Sequence, residues 1–493
     1  MLFNSISFLF FFSFVYLVYW SIPLKARKGF LLFAGIVFYS LFSWSFSIHF
    51  LLTVGINYLL YLAIIDNKES KTPLRLAVVL NILNLGFFKY FYFFNKVLAD
   101  TTGYPFFQNL PNIVHIALPM AISFYSFQMI AAAVDTKKNP PLKPIPLFDY
   151  YLFVVFFPVL IAGPIMRLGD FFPNLDHMKP DRDKMYRACY LMMSGLVKKV
   201  LVADPISSTI QPIFAEPGIY DSFSLFMAGI CYSIQVYCDF SGLTDMARSV
   251  AMFLGFDIPE NFKAPFFSTS GRELWRRWHI TLSFWLREYI YIPLGGSRVS
   301  EWRGYINLIV TMTLGGFWHG ADYTFVVWGF YWGCILVIER MLEDKYNLPL
   351  TPQKSFPLKL LKAGFVFILF SISGLMFRSN DASSMILLFK GIAIHSRDFI
   401  FQNLMTGNDV WLGNVGNMVG GREFFWMERI SNLERVSYMF AVMVLFHWFQ
   451  YSPEKLKSFR KYDSWLMPLL GVLTILMLAM LSQDGGEFIY YRF

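Results

Sequence analysis

The chain has 493 residues and a net charge of +9, from 42 Lys and Arg against 33 Asp and Glu. Only 15% of residues are charged, 56% are hydrophobic, 19% are aromatic, and the mean hydropathy is +0.48. So little charge cannot cover a water-exposed surface, which excludes a soluble enzyme, a disordered chain and a disulfide-rich secreted module. The basic excess is scattered through loops rather than gathered on one face, so the expected partner is the lipid bilayer and not nucleic acid.

The apolar runs are about 20 residues long and lack a two-residue alternation, so they predict membrane-spanning helices and not barrel strands. The first, Phe3–Ile22, has no basic residue before it and no small-x-small cleavage site, and Lys25, Arg27 and Lys28 follow it. It reads as a retained helix with the N-terminus outside. Spans are expected next at Gly29–Phe46, Ile48–Ile65, Leu76–Asn95 and Ile113–Val134. The intervening clusters Lys68, Lys71 and Arg75, then Lys137, Lys138 and Lys143, then all fall on the cytoplasmic side.

Leu147–Met166 carries Pro158, Gly163 and Pro164 and is expected to be broken or re-entrant. Met185–Val202 and Ser222–Phe256 follow. The latter is interrupted by Asp239, Ser241, Asp245 and Arg248, polar groups that should face protein or a cavity. Further spans are expected at Tyr305–Trp318, Tyr323–Ile338, Leu358–Phe377 and Ser383–Ile394. A loop from Ser396 to Glu434 comes next, then Val436–Phe449 and Trp465–Leu481. The basic segment 454–463, with Lys455, Lys457, Arg460 and Lys461, is assigned to the cytoplasm, which leaves the tail 482–493 outside. No repeat or appended soluble domain interrupts what reads as one membrane domain over 1–493. The four cysteines lie in apolar stretches without metal-ligand spacing and are expected to be buried thiols; no metal site is expected.

Two segments could carry chemistry. In RELWRRWHITLSFWLREYIY (272–291), Trp275, Trp278, Leu282, Trp285, Leu286 and Tyr289 form one stripe of a helix, with Arg276, Ser283 and Arg287 opposite. Periodicity alone reads this as an interfacial helix with its arginines on lipid phosphates. His279 lies near the edge of the stripe. In LGGFWHGADYTFVVWG (314–329), His319 lies between two apolar spans among Gly315, Gly316 and Gly320. An ionisable residue there is a functional candidate, although a structural histidine bonded to a carbonyl is also consistent with the pattern. Asp322 could orient the imidazole. Histidine, with an unperturbed pKa of ~6.5, suits general-base work on a sugar hydroxyl. There is no Walker A, GxSxG or HExxH motif to point elsewhere.

Five ordered motifs resemble the membrane-bound O-acyltransferase (MBOAT) family, nearest the branch of the integral-membrane subunit of bacterial alginate O-acetylation. They are FPVLIAGPIMR (157–167), VYCDFSGLTDMARSVAMFLGFDIPENF (236–262), LWRRWHITLSFWLREYIYIPLGG (274–296), the His319 segment, and LMFRSNDASSM (375–385). The resemblance implies an all-α polytopic fold, a ring of about 11–13 transmembrane or re-entrant helices around a central tunnel, in the bacterial inner membrane. It implies that His319 is the essential histidine and His279 the second catalytic position. It implies acetyl-CoA as acyl donor with no bound cofactor, a polysaccharide acceptor outside, and a periplasmic or membrane-tethered SGNH-type O-acetyltransferase as partner. The terminal FIYYRF is similar to a family motif that places an acyl relay on Tyr490, though aromatic anchoring at the interface also fits. Arg276, Arg277, Trp278, Trp318, Asp239 and Ser241 are the substrate-binding candidates. Rival readings are a polymer or lipid-carrier transporter without acyl chemistry, a scaffold for the soluble transferase, and the same chemistry on peptidoglycan or a teichoic-type polymer.

Overall fold

A computed structural model describes residues 3–161, 163–346, 355–405 and 430–451, with a few positions between 469 and 476. Among the described residues the secondary structure is helical throughout, without a strand. The elements are α1 (Ile6–Ser21), α2 (Leu24–Ser40), α3 (Trp44–Asp66), α4 (Thr72–Phe88), α5 (Phe91–Thr102), α6 (Pro105–Ile113), α7 (Ile122–Lys138), α8 (Leu147–Val155), α9 (Phe157–Leu160) and α10 (Leu168–Phe171). They continue as α11 (Arg182–Leu196), α12 (Asp204–Ala215), α13 (Ser222–Phe253), α14 (Gly271–Arg277), α15 (Ile280–Leu286), α16 (Glu301–His319), α17 (Tyr323–Tyr346), α18 (Phe356–Arg378), α19 (Ala382–Met405) and α20 (Ile430–Tyr451). π-helical turns extend α11 through Val197–Ala203 and α15 through Arg287–Tyr291.

The protein is an all-α polytopic membrane protein. Four described helices are long and apolar enough to cross a bilayer by themselves: α3, α13, α17 and α18. A fifth crossing is available if α4 and α5 count as one span bent by 66°. The single straight span expected over Leu76–Asn95 is thus two helices. The break falls at Lys89 and Tyr90, whose side chains bond to another helix. The expected helix from Ile113 starts instead at Ile122, because Ala121 takes a left-handed conformation (φ 60°) just after Pro119. The break expected within Leu147–Met166 is present between α8 and α9, where Pro158 opens the second piece. Both ends of the loop expected over Ser396–Glu434 are helical instead: α19 runs to Met405 and α20 starts at Ile430. The basic segment 454–463 and the tail 482–493 lie outside the described residues, as does most of the expected span Trp465–Leu481.

The 32-residue α13 is the deepest element, with α11, α12, α18 and α19 packed around it. Its contact with α18 is close: a Cβ on Gly229 would lie 2.9 Å from the Ser371 carbonyl, and one on Gly374 3.1 Å from the Tyr232 ring. Small residues let membrane helices approach and gain packing that lipid cannot supply. The polar side chains of α13 find ionic partners on the π-turn after α11. Lys198 Nζ lies 2.6 Å from Asp245, and Lys199 Nζ lies 2.7 Å from Asp239 and 2.8 Å from Asp204.

Candidate functional site

His319 is the last residue of α16. The antiparallel α16–α17 hairpin that carries it is drawn tight by Gly316 and Gly329, which face each other backbone to backbone. A Cβ on either would run into the opposite chain, Gly316 against the Phe325 carbonyl and Gly329 against the Met312 carbonyl. Gly320 then ends the helix in extended backbone (φ −163°, ψ 152°). The imidazole is therefore set at a helix end packed against α17, and it is only 3% exposed.

His279 is brought to it from a different kind of backbone. The stripe read over 272–291 does not lie on one helix. The chain breaks between α14 and α15, and His279 occupies the break with left-handed angles (φ 46°, ψ 54°). Such angles cost a side-chain-bearing residue about 1–3 kcal/mol and persist where the surroundings enforce them. Asn261 does so here. Its carbonyl accepts from Ile280 N–H (3.0 Å), and its Oδ1 accepts from Thr281 N–H (3.1 Å) and Thr281 Oγ1 (2.8 Å). The Arg277 carbonyl accepts from Lys263 N–H on the other side of the break (2.9 Å). The interfacial-helix reading of this segment is thereby corrected. Trp278 and Trp285 are buried in protein, and Trp285 stacks on Phe127 at 3.7 Å and donates to the Phe127 carbonyl at 3.0 Å.

The two imidazole rings stand 6.3 Å apart, centroid to centroid, inside an aromatic shell. Trp318 (4.9 Å), Phe377 (5.2 Å) and Trp328 (5.3 Å) surround His319, and Phe240 (4.7 Å) and Trp318 (6.0 Å) flank His279. A cavity of about 20 Å³ opens on His319, walled by Tyr232, Val236, Trp278, Trp328, Phe370 and Phe377. That is room for roughly one water-sized group. The indole N–H of Trp318 is buried and has no acceptor among the described residues.

Trp278 and Trp318 thus join the two histidines. The other candidates are placed as follows. Arg276 is exposed, while Arg277 pairs with Glu273 (2.8 Å) and donates to the Lys263 carbonyl (3.2 Å). Asp239 is engaged with Lys199, and Ser241 is buried two residues on; between them Phe240 touches His279. Asp322 is directed elsewhere than expected: its carboxylate accepts from Thr324 N–H (3.1 Å) and faces Lys96 (3.5 Å). Beyond Gly320 the helix has ended, so a three-residue spacing no longer returns the side chain to the face of His319. Tyr490 lies outside the described residues.

The profile of MBOAT, the membrane-bound O-acyltransferase family, matches residues 70–378, which contain both histidines and the whole aromatic shell. The chain belongs to the membrane-bound O-acyltransferase family. It is an O-acyltransferase, and it is related to curated proteins over most of its length. It is 36% identical over 392 residues to a "probable alginate O-acetylase AlgI" of Azotobacter vinelandii, covering 77% of this chain and 76% of the relative. A protein of the same name from Pseudomonas aeruginosa is 37% identical over 392 residues, covering 77% and 72%. A peptidoglycan O-acetyltransferase of Helicobacter pylori is 33% identical over 404 residues, covering 74% and 73%.

Several groups that shape this MBOAT site were missed in the sequence. Asn261 sits at the end of a quoted motif, but its role depends on a left-handed residue 18 positions later. His447 and Gln450 lie on α20. The Nε2 of His447 accepts from Phe266 N–H (3.3 Å) while its Nδ1 faces the Met443 carbonyl (3.1 Å), so the proton sits on Nδ1. Gln450 Oε1 accepts from Ala264 N–H and Tyr237 OH, both at 3.0 Å. Together they fix the turn 264–267, whose Phe266 ring packs against Trp278 at 6.0 Å. Lys89 was visible as a charge inside an apolar span, a signal in its own right.

Proposed function

We propose that this acyltransferase takes an acetyl group from acetyl-CoA at the cytoplasmic face and delivers it toward hydroxyls of an extracytoplasmic polysaccharide, with His319 as general base. The observation that carries this reading is the pairing of two buried imidazoles 6.3 Å apart in a shell of aromatic rings, with little room for water. In such a shell an activated acyl group is shielded from hydrolysis. Neutral His319 accepts the proton of the attacking hydroxyl as its oxygen bonds to the acyl carbon. The carbon–sulfur bond of the thioester then breaks, and the imidazolium returns its proton to the departing thiolate. His279 serves as the second polar group beside the reacting carbonyl. The buried Trp318 N–H, which has no acceptor among the described residues, is proposed as the donor to the acyl oxygen, of the kind that stabilises developing negative charge.

The basic clusters between the first spans support an N-terminus outside, and the same charge rule supports a C-terminal tail outside. Tyr490 on that tail is proposed to carry the acyl group onward to a periplasmic or membrane-tethered SGNH-type transferase. A tyrosine hydroxyl needs a base to become a nucleophile, and His319 would supply it. The relatives named for alginate favour an alginate-like polymer; the relative named for peptidoglycan supports the same chemistry on a cell-wall glycan.

The test is base-labile acetate on the isolated polymer in cells carrying wild type or His319→Ala at equal membrane abundance. Loss of acetate with polymer export intact is expected. Unchanged acetate would remove His319 from the chemistry.

A further inference from the structure

We propose that Lys89, together with Tyr90, is a positioning pair for His319, locking the end of the helix that carries it. The proposal rests on the reading of His319 as the base.

An α-helix ends with its last four carbonyls unsatisfied, and inside a membrane protein those oxygens need donors. On α16 two of them belong to Phe317 and Trp318, the residues directly before His319. Tyr90 OH donates to the Phe317 carbonyl at 3.0 Å, and Lys89 Nζ donates to the Trp318 carbonyl at 2.5 Å. Lys89 Nζ also donates to Ser123 Oγ on α7 at 3.2 Å, so the ammonium ties α16 to a third helix. The Tyr90 ring stacks on Phe317 with centroids 4.3 Å apart. A cation at a helix C-terminus also meets the negative end of the helix dipole.

The backbone of this pair explains why one helix end receives both side chains. Neighbouring residues of an α-helix point about 100° apart. Lys89 and Tyr90 stand at the 66° bend between α4 and α5, where both keep right-handed backbone angles (φ −97°, ψ −38° and φ −107°, ψ −3°) but the helix axis turns, and both side chains reach the same helix end. The peptide that Lys89 holds is the one linking Trp318 to His319. A shift of this peptide moves both the imidazole and the Trp318 indole, and misplacement by about 1 Å can cost a reaction about 100-fold. A lysine needed only to anchor α5 would affect folding and abundance. A positioning lysine acts on the turnover of molecules that have folded.

The experiment uses the full chain in inside-out membrane vesicles with its polymer system. It measures the initial rate of labelled acetyl transfer against acetyl-CoA concentration, normalised to folded protein, for wild type, His319→Ala, Lys89→Met, Lys89→Arg and Tyr90→Phe. Lys89→Met is expected to lower kcat about 10- to 100-fold at unchanged KM. Lys89→Arg, which keeps a cationic donor, recovers most of that loss. Tyr90→Phe, which keeps the stack and loses one hydrogen bond worth about 1 kcal/mol, lowers kcat about fivefold. Wild-type kcat in Lys89→Met, or a loss that appears in KM or that arginine does not rescue, overturns the proposal. If Lys89→Met fails to accumulate, Lys89→Arg and Tyr90→Phe decide it by the same criteria. Full activity in His319→Ala would instead defeat the general-base reading on which the proposal rests.

Discussion

His279 holds left-handed backbone angles while facing His319, the last residue of a regular helix, across 6.3 Å. One imidazole is placed by strain and the other by packing, so the two should fail in different ways when their supports are removed.

The support of His279 is Asn261. Asn261→Ala removes the acceptor of Thr281 N–H and Oγ1 and leaves a buried donor unpaired. A stability loss of about 1–3 kcal/mol is expected, with a larger fractional loss of acetyl transfer than of folded protein. Thermal unfolding in detergent, measured beside polymer acetate, checks this. Activity falling only in step with folded protein would show that Asn261 has no special hold on His279.

The support of His319 is the close approach of α16 to α17. Gly329→Ala puts a methyl group against the Met312 carbonyl and the Gly316 Cα. Overpacking of this kind costs about 1–3 kcal/mol. Because the hairpin must open to accept it, transfer should fall at least tenfold in the protein that still folds. Gly364→Ala, where an added Cβ has open space around it, is the control expected to retain wild-type transfer.

The cavity beside His319 is closed by large side chains, Phe377 and Trp328 among them. Phe377→Ala should admit longer acyl groups. In competition between acetyl-CoA and butyryl-CoA, the variant is expected to shift preference toward butyryl by about tenfold or more, the lower end of the scale on which a pocket distinguishes a single methylene. An unchanged ratio would mean that the acyl chain lies elsewhere.

The Lys198–Asp245 pair is buried, with Lys198 fully enclosed. Lys198→Met alone leaves Asp245 without its cation and should cost about 3–5 kcal/mol, while Lys198→Met with Asp245→Leu should recover most of that. The melting temperatures of the single and double variants give the answer. Equal destabilisation by both would assign the pair to a role other than mutual neutralisation.

Much of this arrangement was legible in the sequence. Composition and the long apolar runs without alternation pointed to a helical membrane protein, and His319 stood out as an ionisable residue among glycines between two apolar spans. The break at His279 was not legible, because the apolar stripe of 272–291 keeps helical period straight through it. The partners that hold the break are Lys263, at the end of α14, and Asn261, at the start of α15, and both belong to another part of the chain. Asp322 misled for a related reason: spacing predicts proximity only while a helix continues, and Gly320 ends it. The bend at Lys89 was hidden by the apolar residues on both sides, and the side chains at the bend bond to the buried end of a helix more than 200 residues later.

The region matched to the family stops at residue 378, yet the turn behind Trp278 is fixed by His447 and Gln450 on α20. A fragment cut to the matched region would retain both imidazoles and lose the acceptors for Ala264 and Phe266. Such a fragment is expected to hold Trp278 less firmly than the full chain does. Substitutions on α20 are therefore expected to alter the site from outside the residues that the family profile matches.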